Sequence, residues 1–162
     1  MYRIVFLLLS SILFWGCNNK NSLKLPYYNE PTFTPIFIEN RTEVEQKINH
    51  KIADFSLLNQ DSILINQNVF KNKIHIANFI FTSCANICPT MTSNLKIVSD
   101  SFKNEDDIIY LSYSVTPWID QPNILKTYKD NYEITNEKWQ FLTGSKSKIY
   151  NLARQSYFAE ED

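Results

Sequence analysis

The sequence predicts an α/β fold in which helices cover both faces of a sheet that contains parallel strands. Residues 74–81 are apolar on both alternating faces apart from His75 and Asn78, which is typical of a strand covered on two sides. A helical pattern follows, and then a second apolar run at 108–114. Together they predict a β-α-β unit with a right-handed crossover and parallel pairing. Two short strand-like segments before this unit, joined by turn residues, predict an N-terminal β-hairpin.

Length and composition agree with one folded domain. The chain has 162 residues, enough to bury a core, and 44% of them are hydrophobic and 14% aromatic, which argues against disorder. The formal net charge is −1 and no basic stripe occurs, so nucleic acid is not an expected partner. We divide the chain into a signal peptide (1–16), a tether (17–35) and a domain (36–162).

The N-terminal segment has the pattern of a bacterial lipoprotein signal peptide. After a short positive start, residues 4–15 are apolar except for two serines, and a glycine and Cys17 then precede a polar run. The apolar run is shorter than a transmembrane helix normally requires. We therefore expect cleavage before Cys17, a lipid on Cys17, and a membrane-anchored domain in the cell envelope, facing the periplasm. Phe14 and Trp15 are bulky for such a cleavage site, which leaves an uncleaved signal anchor as the alternative.

The segment between the signal peptide and the hairpin carries few structural signals. Residues 17–35 are rich in Asn, Pro and Tyr and have no sustained period, so they predict a tether. A first edge strand is expected at 33–38, and residues 43–49 are expected to form a loop or a short helical turn. His50 follows in this polar stretch, and we interpret it as a solvated surface residue.

The remaining elements follow from apolar periodicity and turn residues. The hairpin strands are predicted at 52–58 and 63–65, with the turn at 59–62. Later strands are predicted at 108–114 and 139–143, and helices after Pro89, at 122–131 and at 146–157. Apolar residues at helical spacing predict the buried face of each helix. These residues are Met91, Leu95, Val98 and Phe102 on the first helix, Ile124, Leu125 and Tyr128 on the second, and Ile149, Leu152, Ala153 and Tyr157 on the third.

Two cysteines lie where the strand at 74–81 meets the following helix. Pro89 suits the first position of a helix, which would make Cys88 the N-cap and place Cys84 in the loop before it. Partial positive charge and unpaired N–H groups at a helix N-terminus stabilise a thiolate. The C-x-x-x-C spacing therefore predicts a soft site of low coordination number, suited to Cu(I) and also to zinc, and the same pair can close into a disulfide.

The spacing alone leaves other interpretations open. Thioredoxin-type oxidoreductases use C-x-x-C, with one residue fewer, and a four-cysteine zinc site would need a second pair that the sequence lacks. In the alternative interpretation the cysteine pair has no chemical function and is either a structural disulfide or two buried free thiols. His75 lies about nine residues from Cys84 along a strand that rises roughly 3.3 Å per residue, so we interpret it as a structural histidine. Met91 is assigned to the core rather than to a metal.

The residues around the cysteines resemble the Sco/SenC family of thioredoxin-like copper proteins. The motif of that family is an apolar strand, then Phe-Thr-x-Cys-x-x-x-Cys-Pro, then a helix that opens with Met. The matching residues are Phe81, Thr82, Cys84, Cys88, Pro89 and Met91. Segments 51–57, 112–117 and 139–144 match in the same order, so the resemblance extends from about Ile52 to the last residue.

The resemblance implies a thioredoxin-like α/β sandwich and a copper chaperone. In that interpretation Cys84 and Cys88 hold a copper ion and pass it by ligand exchange to cysteines of the cytochrome c oxidase subunit that carries the binuclear copper centre. The alternative is a thiol-disulfide reductase that acts on those same partner cysteines, with either cysteine as the attacking thiol. A structural or signalling lipoprotein that has lost metal binding is a third interpretation.

The sequence departs from the family pattern in two places. Many Sco-like proteins have aspartate between the valine and the proline of the loop at 115–122, where this chain has Thr116, although Asp120 remains on that loop. The loop follows a strand and is expected to face the cysteines. Family members also carry a third copper ligand, a histidine, beyond the point where this sequence stops, and neither His50 nor His75 matches it. We therefore expect an incomplete sheet with an exposed edge at the strand 139–143, weak Cu(I) binding and poor Cu(II) binding.

Overall fold

The strands and helices follow one another along the chain in the predicted order. A computed structural model describes residues 25–159; the predicted signal peptide and Cys17 lie outside them. The strands are β1 (Ser56–Asn59), β2 (Leu64–Asn66), β3 (Ile74–Ile80), β4 (Ile108–Ser114) and β5 (Trp139–Thr143). The helices are α1 (Val44–Lys47), α2 (Ile87–Ser101), α3 (Pro122–Asn131) and α4 (Lys146–Asn151), the last continued by a π-helical turn (Leu152–Ser156).

The five strands form one mixed sheet in the order β2-β1-β5-β4-β3. β3 and β4 are parallel over their full length, from Ile74 opposite Ile108 to Ile80 opposite Ser114, which confirms the predicted β-α-β unit. β4 and β5 are also parallel. β1 is antiparallel to β2, as a hairpin requires, and it is also antiparallel to β5. The predicted exposed edge at 139–143 is wrong, because β5 is hydrogen-bonded on both sides. Within residues 25–159 the free edges belong to β2 and β3.

Helices cover both faces of the sheet, as predicted. One apolar cluster joins the hairpin, β4 and β5 to α4; it contains Phe55, Leu57, Ile109, Leu111, Tyr113, Leu142, Ile149 and Leu152. The cluster on the other face joins the sheet to α2 and α3; it contains Ile80, Tyr110, Leu125, Tyr128, Ile134, Trp139 and Phe141. Burial of these side chains is the main favourable term for folding. The same packing holds in place the parallel strand β3, whose C-terminal end leads to the cysteines.

The buried face of α2 is not the predicted one. Val98 and Phe102 are exposed, and the fully buried positions are Cys88, Thr92 and Ser99. The reason is that polar partners on neighbouring segments set the rotation of the helix. The Thr92 hydroxyl is hydrogen-bonded to the Tyr128 hydroxyl of α3 (2.9 Å), and Asn136 Nδ2 donates to Ser99 Oγ (2.9 Å). Met91 and Leu95 do pack against the core, whereas Ile124 on α3 is exposed, contrary to the prediction.

The segment before the hairpin is less regular than predicted. The expected strand at 33–38 is absent from the structure, and Tyr27 and Ile36 instead form a single antiparallel bridge. Residues 43–49 do contain a short helical turn, in which a 3-10 turn (Arg41–Glu43) leads into α1. Throughout residues 25–159, every helix is either too short or too polar to span a bilayer.

Candidate metal centre

Cys84 and Cys88 lie at the C-terminal end of β3 and the start of α2. The chain leaves the sheet after Ile80, and the N–H of Cys84 donates to the carbonyl of Phe81 (3.2 Å), which closes a turn. The helix begins two residues earlier than predicted, with Asn86 as N-cap and Cys88 in the first turn. The prediction of Cys88 as N-cap was wrong because proline is tolerated throughout the first turn, where backbone N–H groups have no partner within the helix.

The two thiols are free and close to each other, in different environments. Cys84 is half-buried and Cys88 is buried. The backbone N–H of Cys88 donates to Cys84 Sγ at 3.4 Å. Hydrogen bonds from the N–H groups of Asn86 and Cys88 lower the pKa of Cys84, and the Cys88 thiol contributes in the same direction. Burial raises the pKa of Cys88, and its hydrogen bond to Cys84 adds to that effect.

This asymmetry distinguishes two thiols that the spacing left equivalent. Cys84 is the sulfur whose charged form is stabilised, by the partial charges at the N-terminus of a helix. Cys88 is the sulfur that retains its proton. The two directions of shift rank Cys84 as the more acidic thiol of the pair.

The loop after β4 is hydrogen-bonded through one carboxylate to the cysteine loop, which we define as residues 81–86 between β3 and α2. Asp120 accepts hydrogen bonds from the backbone N–H of Thr82 (3.2 Å) and from the Thr82 hydroxyl (2.5 Å). It also accepts from the hydroxyls of Ser114 (2.6 Å) and Thr116 (3.0 Å). The expectation that this loop faces the cysteine region is confirmed. Sequence reasoning assigned Thr82 no role beyond its match to the motif and did not single out Ser114, although both lie at or just beyond the ends of adjacent parallel strands.

The two histidines lie away from the thiols. His75 is near the start of β3, stacks on Phe70 (ring centroids 4.5 Å apart) and is hydrogen-bonded through Nε2 to the Tyr157 hydroxyl (3.2 Å), so its structural role is as predicted. Burial lowers the pKa of His75. His50 is not solvated as expected. Its Nε2 is 2.9 Å from the carbonyl of Ser156, and its ring packs on Phe158 at 4.2 Å, because the C-terminal segment folds back over it.

The donor set available for a metal is two sulfurs. Within residues 25–159, no three or more His, Cys, Asp or Glu side chains are grouped so that they could hold an ion. Two thiolates without further ligands suit Cu(I), which accepts low coordination numbers and soft donors. The residues present therefore fit Cu(I) better than Cu(II).

Exposed apolar side chains lie near the thiols in sequence and topology. Ile87, next to Cys88 in α2, is 71% exposed, and Trp118, on the loop that carries Asp120, is 56% exposed. The ammonium group of Lys146 lies over the Trp118 ring, 4.9 Å from its centroid.

The fold and the site together define the class: a thioredoxin-like protein with a C-x-x-x-C pair at the N-terminus of the helix that follows a parallel strand. The sequence profile of the SCO1/SenC family matches residues 43–161, and the chain belongs to that family.

Relatives and solved structures agree with this assignment. The SCO1 protein homolog of Bacillus subtilis is 34% identical over 119 residues, which are 72% of this chain and 62% of that protein. BsSco, described as a member of the Sco family of cytochrome c oxidase assembly proteins with a disulfide switch, is 36% identical with a TM-score of 0.61, over 67% of this chain and 65% of that one. Arabidopsis thaliana ScoI with copper bound is 28% identical with a TM-score of 0.56, over 66% of each chain. The chain thus spans slightly less than two thirds of these proteins.

Proposed function

We propose that this protein is a membrane-anchored copper chaperone of the cell envelope that delivers copper to the binuclear copper centre of cytochrome c oxidase. The observation that carries the proposal is the pairing of Cys84, whose thiolate is stabilised by backbone N–H groups, with the buried thiol of Cys88. The description of BsSco as an assembly protein of cytochrome c oxidase and the copper bound to A. thaliana ScoI support it.

In this proposal copper is the cargo, and Cys84 and Cys88 are its ligands. Cu(I) is captured by the Cys84 thiolate, and Cys88 then loses its proton and supplies the second sulfur. Transfer proceeds by ligand exchange, without a change in oxidation state. A thiol of the oxidase subunit loses its proton and binds Cu(I) as a thiolate, and Cys88, whose protonated form is favoured by burial, takes up a proton and is released first as a thiol. Cys84 leaves when a second partner thiolate has bound.

Membrane attachment completes the proposal. A lipid on Cys17 would hold the chaperone at the membrane in which the oxidase is assembled, on the periplasmic side. Residues 17–35 would form the tether between the lipid and the domain.

A second candidate function is the reduction of a disulfide in the partner subunit, and the difference between the two thiols favours it. The Cys84 thiolate would attack the partner disulfide, forming a mixed disulfide and releasing one partner thiolate, which takes up a proton. Cys88, after losing its proton, would then attack Cys84 Sγ and release the second partner thiolate. The partner gains two electrons and the protein ends as the Cys84–Cys88 disulfide, which an external thiol reductant must reopen.

A competition titration of the reduced full-length chain against a chromophoric Cu(I) chelator tests the proposal. We expect one Cu(I) per chain, and loss of most of the affinity in Cys84→Ser and in Cys88→Ser. Ser83→Ala, at an exposed neighbouring position, is the control and should bind as the wild type does. Unchanged affinity in Cys84→Ser would place the metal elsewhere. Reduction of a disulfide-containing partner peptide together with absence of Cu(I) binding would favour the reductase.

A further inference from the structure

The Asp120 carboxylate is fully buried and is surrounded by hydrogen-bond donors. Its oxygen Oδ1 accepts from the Thr82 hydroxyl, and Oδ2 accepts from the Thr82 N–H and from the hydroxyls of Ser114 and Thr116. Burying a carboxylate is costly unless hydrogen bonds replace the lost hydration. Four donors from three positions provide that replacement, so the carboxylate holds its neighbours in one arrangement.

Half of these hydrogen bonds hold the cysteine loop. Thr82 lies two residues before Cys84 and directly after Phe81, whose carbonyl accepts the N–H of Cys84. Asp120 binds Thr82 through both its backbone N–H and its side chain, which restrains the position and the rotation of that residue. The turn that carries Cys84 is therefore anchored at one end by Asp120 and at the other by α2.

The position of Cys84 Sγ depends on this turn. Its contact with the N–H of Cys88 is 3.4 Å long, and hydrogen bonds to sulfur weaken as distance and angle depart from the favoured range. A small displacement of Thr82 would move Sγ relative to the first turn of α2. The stabilisation of the thiolate and the spacing of the two sulfurs would then change together.

We propose that Asp120 is a positioning residue for the thiol pair, acting through Thr82 to hold Cys84 against the N-terminus of α2. It thereby sets both the reduction potential of the Cys84–Cys88 pair and its affinity for Cu(I). The part concerning Cu(I) rests on the proposed function, whereas the part concerning the reduction potential does not depend on a metal.

Two threonines bonded to the same carboxylate provide a matched comparison. Thr82→Val and Thr116→Val each remove one hydroxyl donor to Asp120 and keep the shape of the side chain. Only the first lies on the cysteine loop. We expect Thr82→Val to weaken Cu(I) binding about tenfold and Thr116→Val to change it by less than about twofold, since hydrogen bonds to charged groups contribute effects of this order. Thr82→Ser, which retains the hydroxyl, should restore wild-type behaviour.

The reduction potential is measured on the full-length chain in glutathione or dithiothreitol redox buffers, with thiol labelling and mass spectrometry. A weaker hydrogen bond from the Cys88 N–H to Cys84 Sγ disfavours the reduced form, so Thr82→Val should shift the potential to more negative values by about 30 mV, equivalent to a tenfold change in the equilibrium constant. Asp120→Asn, which places an amide N–H group among donors, should shift it in the same direction and at least as far. Thermal unfolding of each variant shows whether it is folded.

The outcomes separate this inference from the proposed function. Equal shifts in Thr82→Val and Thr116→Val, or no shift in Thr82→Val, would overturn the positioning role. A wild-type chain that fails to bind Cu(I), combined with a shifted potential in Thr82→Val, would overturn the chaperone proposal and support the positioning role. If Thr82→Val does not fold, Thr82→Ala and Thr116→Ala provide the same comparison under the same criteria.

Discussion

A hydrogen-bonded chain of three side chains joins β5, β4 and β3, and the buried Ser112 of β4 is its middle member. Trp139 Nε1 donates to Ser112 Oγ (2.8 Å), and the Ser112 hydroxyl donates to Asn78 Oδ1 (2.7 Å). Trp139 and Ser112 have no exposed surface, and Asn78 Nδ2 is already a buried donor for which the described residues provide no partner. No water is expected to replace a lost serine hydroxyl at such a site.

Ser112→Ala should therefore lower the free energy of unfolding by about 2–3 kcal/mol. A buried polar group that loses its partner costs roughly 1–3 kcal/mol. The substitution leaves two groups without their hydrogen-bond partner, the indole N–H of Trp139 and the side-chain amide oxygen of Asn78. Urea denaturation followed by circular dichroism measures the change. Ser93→Ala, at an exposed position on α2, should stay within about 0.5 kcal/mol of the wild type.

A double-mutant cycle with Trp139→Phe isolates the indole contribution. In the phenylalanine background no indole donor is left unpaired, so Ser112→Ala should cost less by about 1 kcal/mol. An equal cost of Ser112→Ala in both backgrounds would refute the hydrogen bond between the indole and the serine. A cost of Ser112→Ala below about 0.5 kcal/mol would refute the argument about buried partners as a whole.

Three further predictions concern the thiols, the N-terminus and the dependence of stability on pH. Under limiting iodoacetamide at neutral pH, peptide mapping should find Cys84 alkylated before Cys88, because the pKa of Cys84 is lowered and that of Cys88 is raised; the opposite order would contradict the assignment of roles. Mass spectrometry of the membrane fraction should find acylated Cys17 as the first residue of the mature chain, since several acyl chains anchor a protein stably where one does not; an intact segment 1–16 on the mature chain would exclude this. Burial lowers the pKa of His75 in the folded protein below 6.5, so the unfolded chain binds more protons and the free energy of unfolding should fall as the pH decreases below about 6.5. His75→Gln should flatten this part of the stability curve, and an unchanged slope in that variant would exclude His75 as its source.

Sequence patterns located several elements with the bounds that the structure has. The strands β4 and β5 and the helix α3 have the predicted bounds, because long apolar or strictly periodic runs bounded by turn residues leave little choice of register. The N-terminal strand at 33–38 was mispredicted, since a short apolar run away from the core lacks a strand to pair with. Helix 146–157 was located correctly, but its π-helical turn was not foreseen.

Features that depend on distant partners could not be predicted in this way. The buried face of α2 is set by Tyr128 and Asn136, which lie more than 30 residues further along the chain. The central position of β5 follows from the return of the hairpin to pair with it, and periodicity does not encode strand order. For the site, the sequence located both cysteines at a helix N-terminus. It could not rank them, because the difference arises from burial and from individual N–H contacts.

The strand that leads to the thiols is held from one side. Within residues 25–159, β3 pairs with β4 alone, whereas β4 and β5 each have two neighbours. Amide protons of β3 should therefore exchange with solvent through local openings, at a lower free energy than the global unfolding that β4 and β5 require. The lifetime of the aligned thiol pair is then governed by this smaller cooperative unit. A substitution in β3 can shorten the time for which the site is assembled while leaving the melting temperature of the domain almost unchanged.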